Sequence, residues 1–453
     1  MSASRQFRFG YVVQISSLLT LAMVNIGLPN WIGAQTFARL NEATAFVGMT
    51  CMLFNEGVAL LIIRSIQRAG ENSRLARNIT LQACFEHALI ALLALALVAA
   101  GTVLVAPGHA YGAADWLLVG LTNLIIASYV CMTAWLVACL KNHVVAALAM
   151  AQGLLSFALP LAAVHLGWDV RWAIGGSYLA GLLFCISLLR ATDAGTWRPS
   201  LARDDRVSLV AALPAASAQT AMRTAIVWLP VLVLAGLGEP TASAAYKIGL
   251  ALALGVCALV PYHRQTMLSL DGRDGAAMHQ QLAAGALLLA SMGALALSIF
   301  SGPLTALLYG KELATIADLL PALASFIVLQ VLTDVILVHL MARHADRTVL
   351  WACGLAIATA CLAAALVSPR WLPSLTLGTF VTVALIRQRL LAALALPLRA
   401  AALGLLVALA AVAMPAPWGH LAATALLIGA LGLDRALRDA WLSTLQRLLR
   451  SGA

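Results

Sequence analysis

The sequence predicts an all-α polytopic membrane protein with about fourteen transmembrane helices. Three observations carry this reading. First, 62% of the 453 residues are hydrophobic and only 10% are charged, with a mean hydropathy of +0.94. A soluble domain carries roughly a quarter charged residues, so this chain has too little polar side chain to cover a water-facing surface. Second, apolar runs of about 20 residues, long enough for a helix to cross a bilayer, recur along the whole length. Third, the cations alternate from one connection to the next.

The first run, 9–31, follows Arg5 and Arg8. It exceeds a signal-peptide core and contains Asn25 and Pro29, so it reads as an uncleaved first span. The spans that follow are expected at 42–63, 79–105, 115–139, 144–165, 172–189, 207–235, 240–261, 280–301, 314–341, 348–367, 371–386, 396–413 and 419–433. Placing the N-terminus inside puts 22 of the 28 Lys and Arg residues in cytoplasmic segments. The outer connections then hold only Arg39, Arg171, Lys311 and Arg370, while Arg223 and Lys247 fall within spans. Losing one span would invert this pattern downstream, so the span count is even, fourteen or twelve, and both termini face the cytoplasm of a bacterial inner membrane. The tail 434–453 places Leu437, Trp441, Leu445 and Leu448 at helical spacing between arginines, which predicts an amphipathic helix in the headgroup zone.

Orientation accounts for the whole net charge of +10, so nucleic-acid binding needs no place. The eight cysteines lie in apolar runs without a CxxC pair and read as small packing residues. The nine histidines show no metal-ligand spacing, and no GxxxxGK[ST] loop for nucleotide phosphates occurs. The connections are short, with no soluble domain on either side. Asp204-Asp205 sits between Arg203 and Arg206 and reads as a self-neutralised linker. These features argue against an enzyme and predict no cofactor beyond a coupling H⁺ or Na⁺.

The chain also repeats itself. Glu42 matches Glu239, Thr44 matches Thr241, Gly57 matches Gly255 and Val58 matches Val256, at offsets of 197 and 198. Tyr111-Gly112 before the fourth span matches Tyr309-Gly310 before the tenth at 198. A repeat of six spans, an even number, gives two lobes of the same orientation. The expected division is an N-lobe at 1–190, a cytoplasmic linker at 191–206, a C-lobe at 207–390, an extra span pair at 391–433 and the tail at 434–453.

Two stretches carry a family likeness: "GPLTALLYGKELATIADLLPALASFIVLQVLTDVILVHLMARHADRTVL" at 302–350, and "ARLNEATAFVGMTCMLFNEGVALLIIRSIQR" near the N-terminus. Together with the two parallel lobes they resemble the polysaccharide-flippase branch of the MOP exporter superfamily. The resemblance implies movement of a lipid-linked oligosaccharide, usually on a polyprenyl diphosphate, from the cytoplasmic to the periplasmic leaflet by alternating access. It implies the bilayer and that substrate as partners, with a glycan polymerase or glycosyltransferase acting beside it. A multidrug or cation antiporter of the same fold stays open, as does a membrane-embedded polymerase or glycosyltransferase. Span 1 has only Asn25 where such an antiporter typically carries an acidic ion ligand.

A diphosphate and sugars crossing hydrocarbon need cations and hydrogen-bonding groups along their path. The candidates are therefore the polar residues inside spans. Arg223 and Lys247 are candidate phosphate contacts, or ion-pair partners of other helices; Lys247 also has the option of snorkelling outward. Glu56 and Asp334 are candidates for a coupling ion, or for neutralising those cations. Asn25 and Gln219 are candidates for sugar hydroxyls, with Asn55, Asn123, Gln152 and Gln330 beside them, although each also suits helix–helix hydrogen bonding. Arg64, at the inner end of span 2, is the candidate for first contact on the cytoplasmic side, or simply an orientation cation. Glu86 and His87 are expected to be solvated near the cytoplasmic interface.

Overall fold

A computed structural model describes residue 20 and residues 23–69, 73–105, 111–138, 142–192, 209–260, 276–309, 313–343, 345–364, 366–414 and 416–451. Among them the secondary structure is helical without a strand. Ten helices are long and apolar enough to cross a membrane. Helices also stand at the expected positions of the sixth, twelfth and fourteenth spans. Most of the expected first span and of the linker 191–206 lies outside the described residues. The described chain divides into two compact units, 1–244 and 245–453.

The first unit opens with a π turn, π1 (Met23–Gly27), and the short α1 (Leu28–Ile32). Gly33, at φ +80°, then reverses the chain, a conformation open to glycine because it has no Cβ. Three segments follow without interruption: α2 (Ala34–Val47), π2 (Gly48–Met52) and α3 (Leu53–Ala69). The second span is therefore longer than the expected 42–63, since nothing in "AQTFARLNEATAFV" stops a helix. The unit continues through α4 (Ser73–Val105), α5 (Ala113–Ala138), α6 (Asn142–His165), α7 (Trp172–Thr192) and α8 (Leu209–Gly236), and its end lies inside α9 (Pro240–Leu259). Its core joins Val58, Ile62 and Ile66 of α3 to Cys131, Trp135 and Leu136 of α5 and Leu182 of α7. Burial of this apolar set is what folding inside the membrane can use beyond lipid contact: close, well-fitted packing.

The second unit continues with α10 (Ala276–Ile299), α11 (Ser301–Tyr309), α12 (Thr315–Ala322), α13 (Ala324–Ala342), α14 (Asp346–Ala363), α15 (Leu372–Gln388), α16 (Ala395–Ala413), α17 (Trp418–Leu433) and α18 (Arg435–Ser451). One expectation fails here. The run 314–341 is not one span; it breaks at Leu323 into α12 and α13. Pro321 lacks the N–H that would continue the hydrogen-bond ladder, and α13 alone, at Ala324–Met341, has the length to cross.

The tail helix α18 forms as its periodicity predicts, bent by 99° from α17. The Asp434 carboxylate accepts from the backbone N–H groups of Ala436 at 2.9 Å and Leu437 at 3.2 Å and so caps its start. Its buried face is not lipid-facing, however. Leu437, Ala440 and Thr444 are buried, and Thr444 lies on the bare backbone of Gly285 in α10. A side chain at 285 would also stand 2.9 Å from the Ala440 carbonyl, so the glycine permits this contact.

Candidate functional site

In the first unit α3 and α8 cross at very close range. A Cβ at Gly57 would collide with Ser217 Oγ and lie 2.9 Å from the Ser217 backbone nitrogen. Further along the pair, Gly48 of π2 is covered by the Trp228 indole in the same way. These two glycines allow α3 and α8 to touch backbone to side chain, as small residues do in membrane helix pairs. The crossing carries polar groups. Thr220 Oγ1 donates to Glu56 Oε2 at 2.7 Å, although the two residues are 164 apart in sequence. Gln219, Thr220 and Arg223 follow one another over a single turn of α8, so Arg223 lies three residues from the hydroxyl that holds Glu56.

Gln219 adds an amide Nε2 that is buried and makes no hydrogen bond among the described residues. Ser217 Oγ is in the same condition. Buried polar groups are almost always satisfied, so this stretch of α8 holds unused hydrogen-bonding capacity. Glu56 itself is exposed, and Arg223 is half-buried. The arrangement is a carboxylate, a hydroxyl, an amide and a guanidinium along one helix crossing, capable of gripping a polar or anionic group inside the span.

The remaining candidates lie elsewhere. Asn25 is buried on π1, which packs against α6. Arg64 is helical, and its side chain lies outside the described residues. In the second unit, Gln330 Nε2 donates to Asp334 Oδ2 at 3.3 Å along α13. Lys247 is not brought beside that carboxylate. It is two residues from Gly249, whose open side is filled by Leu319 and Leu323. Asp334 is about three turns beyond Leu323, roughly 16 Å deeper along α13. The sequence left open whether these two charges neutralise each other; their different depths oppose that pairing.

Two polar clusters were not legible in the sequence. His87, expected to be solvated, is fully buried. Its ring stands between Cys51 and Cys131, with Sγ 4.0 Å from Nε2 and 3.9 Å from Nδ1. Beside it Asn123 Nδ2 donates to Thr50 Oγ1 at 2.8 Å. The π2 segment turns both Thr50 and Cys51 inward, a placement that a plain 3.6-residue period does not reveal.

The second cluster joins the start of α5 to the turn before α7. Arg171 Nε donates to Asp169 Oδ1 and Oδ2 at 3.0 and 2.8 Å, and its NH1 lies 2.6 Å from Asp115 Oδ1. The guanidinium also stands 5.9 Å from the centre of the Tyr111 ring, which packs on Phe46 and Trp116. Hydrogen bonding from Arg171 holds the Asp169 carboxyl below its ordinary range, and bonding to Asp169 raises Arg171 in turn. Burial pushes the Tyr111 phenol up. Asp169, two residues before Arg171, was the only local sign of this clasp.

No family model matches the chain, and no curated protein matches it in sequence. Solved structures match it in fold. Its likeness to a lipid II flippase, MurJ, in an inward closed conformation covers 98% of this chain and 99% of that one, at TM-score 0.62 and 12% identity. A multidrug-resistance MATE family transporter of the MOP superfamily, in an inward-facing conformation, covers 91% and 95% at TM-score 0.55 and 13% identity. The eukaryotic MATE transporter AtDTX14 covers 87% and 97% at 0.51 and 13%. The chain shares the fold of these solved transporters. At these identities the likeness establishes the fold, and the polar residues described above have to carry any argument about chemistry. Of the residues singled out from the sequence, Glu56 lies on α3 and Gln219 and Arg223 on α8.

Proposed function

We propose that this protein is a transporter that moves a lipid-linked oligosaccharide, of the polyprenyl-diphosphate type, across the inner membrane from the cytoplasmic leaflet by alternating access. The observation that carries the reading is the α3–α8 crossing, where Glu56, Thr220, Gln219 and Arg223 offer a cation and several hydrogen-bonding groups inside the span. A diphosphate with attached sugars needs both kinds of contact to leave water. The full-length likeness in fold to a lipid II flippase supports it.

The test uses purified protein in liposomes containing a fluorescent oligosaccharide on polyprenyl diphosphate. Transbilayer movement should exceed that of protein-free vesicles, and Arg223→Gln should slow it about tenfold, the equivalent of one charge-assisted contact. Movement equal to that of empty vesicles would overturn the proposal. A multidrug or cation antiporter is the second reading, favoured by the MATE likenesses. Proton- or sodium-driven drug efflux from the same vesicles, without movement of the lipid, would select it.

A further inference from the structure

A polar cavity of about 750 Å³ opens where α14 begins and α15 ends. It is lined by Ala345, Asp346, Arg347, Thr348, Arg387 and Gln388. Pockets that hold small ligands span about 300–1,000 Å³. We propose that this cavity binds the phosphate of an anionic glycerophospholipid headgroup, with Arg347 and Arg387 as its ligands.

The floor is polar. Gln388 Nε2 donates to Thr348 Oγ1 at 2.6 Å, joining the two helix ends, and Thr348 is buried. The uncharged groups are thus used on each other. The cations are not. Neither Arg347 nor Arg387 forms an ion pair among the described residues, and Asp346, which also lines the cavity, forms none either. Three other arginines at helix ends are engaged: Arg171 with Asp115 and Asp169, Arg399 with Asp434, and Arg435 with Asp439.

Arg387 is nevertheless positioned. Its guanidinium stands 5.9 Å from the centre of the Trp351 ring, a contact that uses the π face and leaves the N–H groups available. A guanidinium with open N–H groups presents a fork that matches phosphate oxygens.

The location selects the occupant. Asp346–Ala363 qualifies as a membrane span, so its first residues lie where the hydrocarbon ends and headgroups begin. Trp351 is mostly exposed one turn further in, as interfacial tryptophans are. Arg343 and Arg389 flank the cavity and are also exposed, adding positive potential. Basic pockets between helices at that depth meet anionic lipid at the concentration of the bilayer itself. This inference does not depend on the transport reading.

The experiment is native mass spectrometry of the full chain in detergent, titrated with phosphatidylglycerol, phosphatidylcholine, a polyprenyl diphosphate and inorganic pyrophosphate. Phosphatidylglycerol should bind about tenfold more tightly than phosphatidylcholine, and added salt should shrink that difference. The double variant Arg347→Gln/Arg387→Gln should abolish the preference, and Arg387→Lys should lower it by removing the fork while keeping the charge. Arg370→Gln is the control. Arg370 has the same kind of contact, 5.8 Å from the Trp371 ring, but does not line this cavity. Should the double variant fold poorly, each single variant should still reduce the preference. Equal binding of the two phospholipids overturns the proposal. So does a preference that survives both substitutions, or binding of polyprenyl diphosphate or pyrophosphate that exceeds that of phosphatidylglycerol and is lost in the double variant.

Discussion

Arg171 and the Arg347–Arg387 pair are guanidinium sites at the ends of membrane helices, and they are wired in opposite ways. Arg171 has a carboxylate at 169, another at 115 and an aromatic ring beneath it. Its donors are consumed, and it works as a clasp between the start of α5 and the turn before α7. Arg347 and Arg387 border a cavity whose uncharged members are bonded to each other, and their own donors remain open. Counting cations by loop gives each of the three only a side of the membrane. Their neighbours separate a structural ion pair from a site that has a ligand still to gain.

The comparison can be broken from either side. The largest stability effect should come from Arg171→Gln, which leaves Asp115 and Asp169 facing each other without their shared cation. The clasp is partly exposed, so the loss should be about 1–2 kcal/mol after discounting for solvent screening. Thermal unfolding in detergent measures it, and a double-mutant cycle with Asp115→Asn should show coupling of the two residues. Asp169→Asn should cost less, about 1 kcal/mol, because Asp169 is the more exposed carboxylate.

The pH dependence has a definite sign. The folded-state pKa of Asp169 is depressed, so its stabilisation is present above the ordinary carboxylate value and disappears as pH falls through the lowered one. The gap in melting temperature between the native chain and Asp169→Asn should therefore be full at neutral pH and close below about pH 4. The smallest effect should be that of Arg387→Gln. With no ion pair to lose, it should move stability by less than about 0.5 kcal/mol in lipid-free detergent. Its consequence should appear only as lost stabilisation by phosphatidylglycerol. A large destabilisation there without lipid would erase the distinction between the two sites.

The two Tyr-Gly pairs show how far the sequence repeat reaches. Tyr111 precedes α5, whereas Tyr309, 198 positions later, is the last residue of α11. Tyr111 enters an aromatic and charged cluster with Phe46, Trp116 and Arg171. Tyr309 is buried at the end of α11, where burial raises its phenol. The Gly310-Lys311-Glu312 part of that turn lies outside the described residues. The surroundings of the two tyrosines differ, because they depend on side chains drawn from other helices. His87 teaches the same lesson. Beside Glu86, which accepts from Gln82 Nε2 at 2.7 Å, it reads as part of a polar helix end. Only the opposing thiols of π2 and α5 place it in the interior.

Composition, apolar period and cation distribution by themselves determined that this chain is a helical membrane protein, where most of its spans fall, and that its tail is an amphipathic helix. Those properties are local or additive, summed over residues near one another in sequence. The break at Leu323, the packing of Thr444 on Gly285, the bond from Thr220 to Glu56 and the open arginines around Thr348 were decided by tertiary structure alone. Each depends on which helices meet and at what depth. In a chain so rich in alanine and leucine, many pairings satisfy the same apolar pattern, and a few small and polar side chains distinguish them.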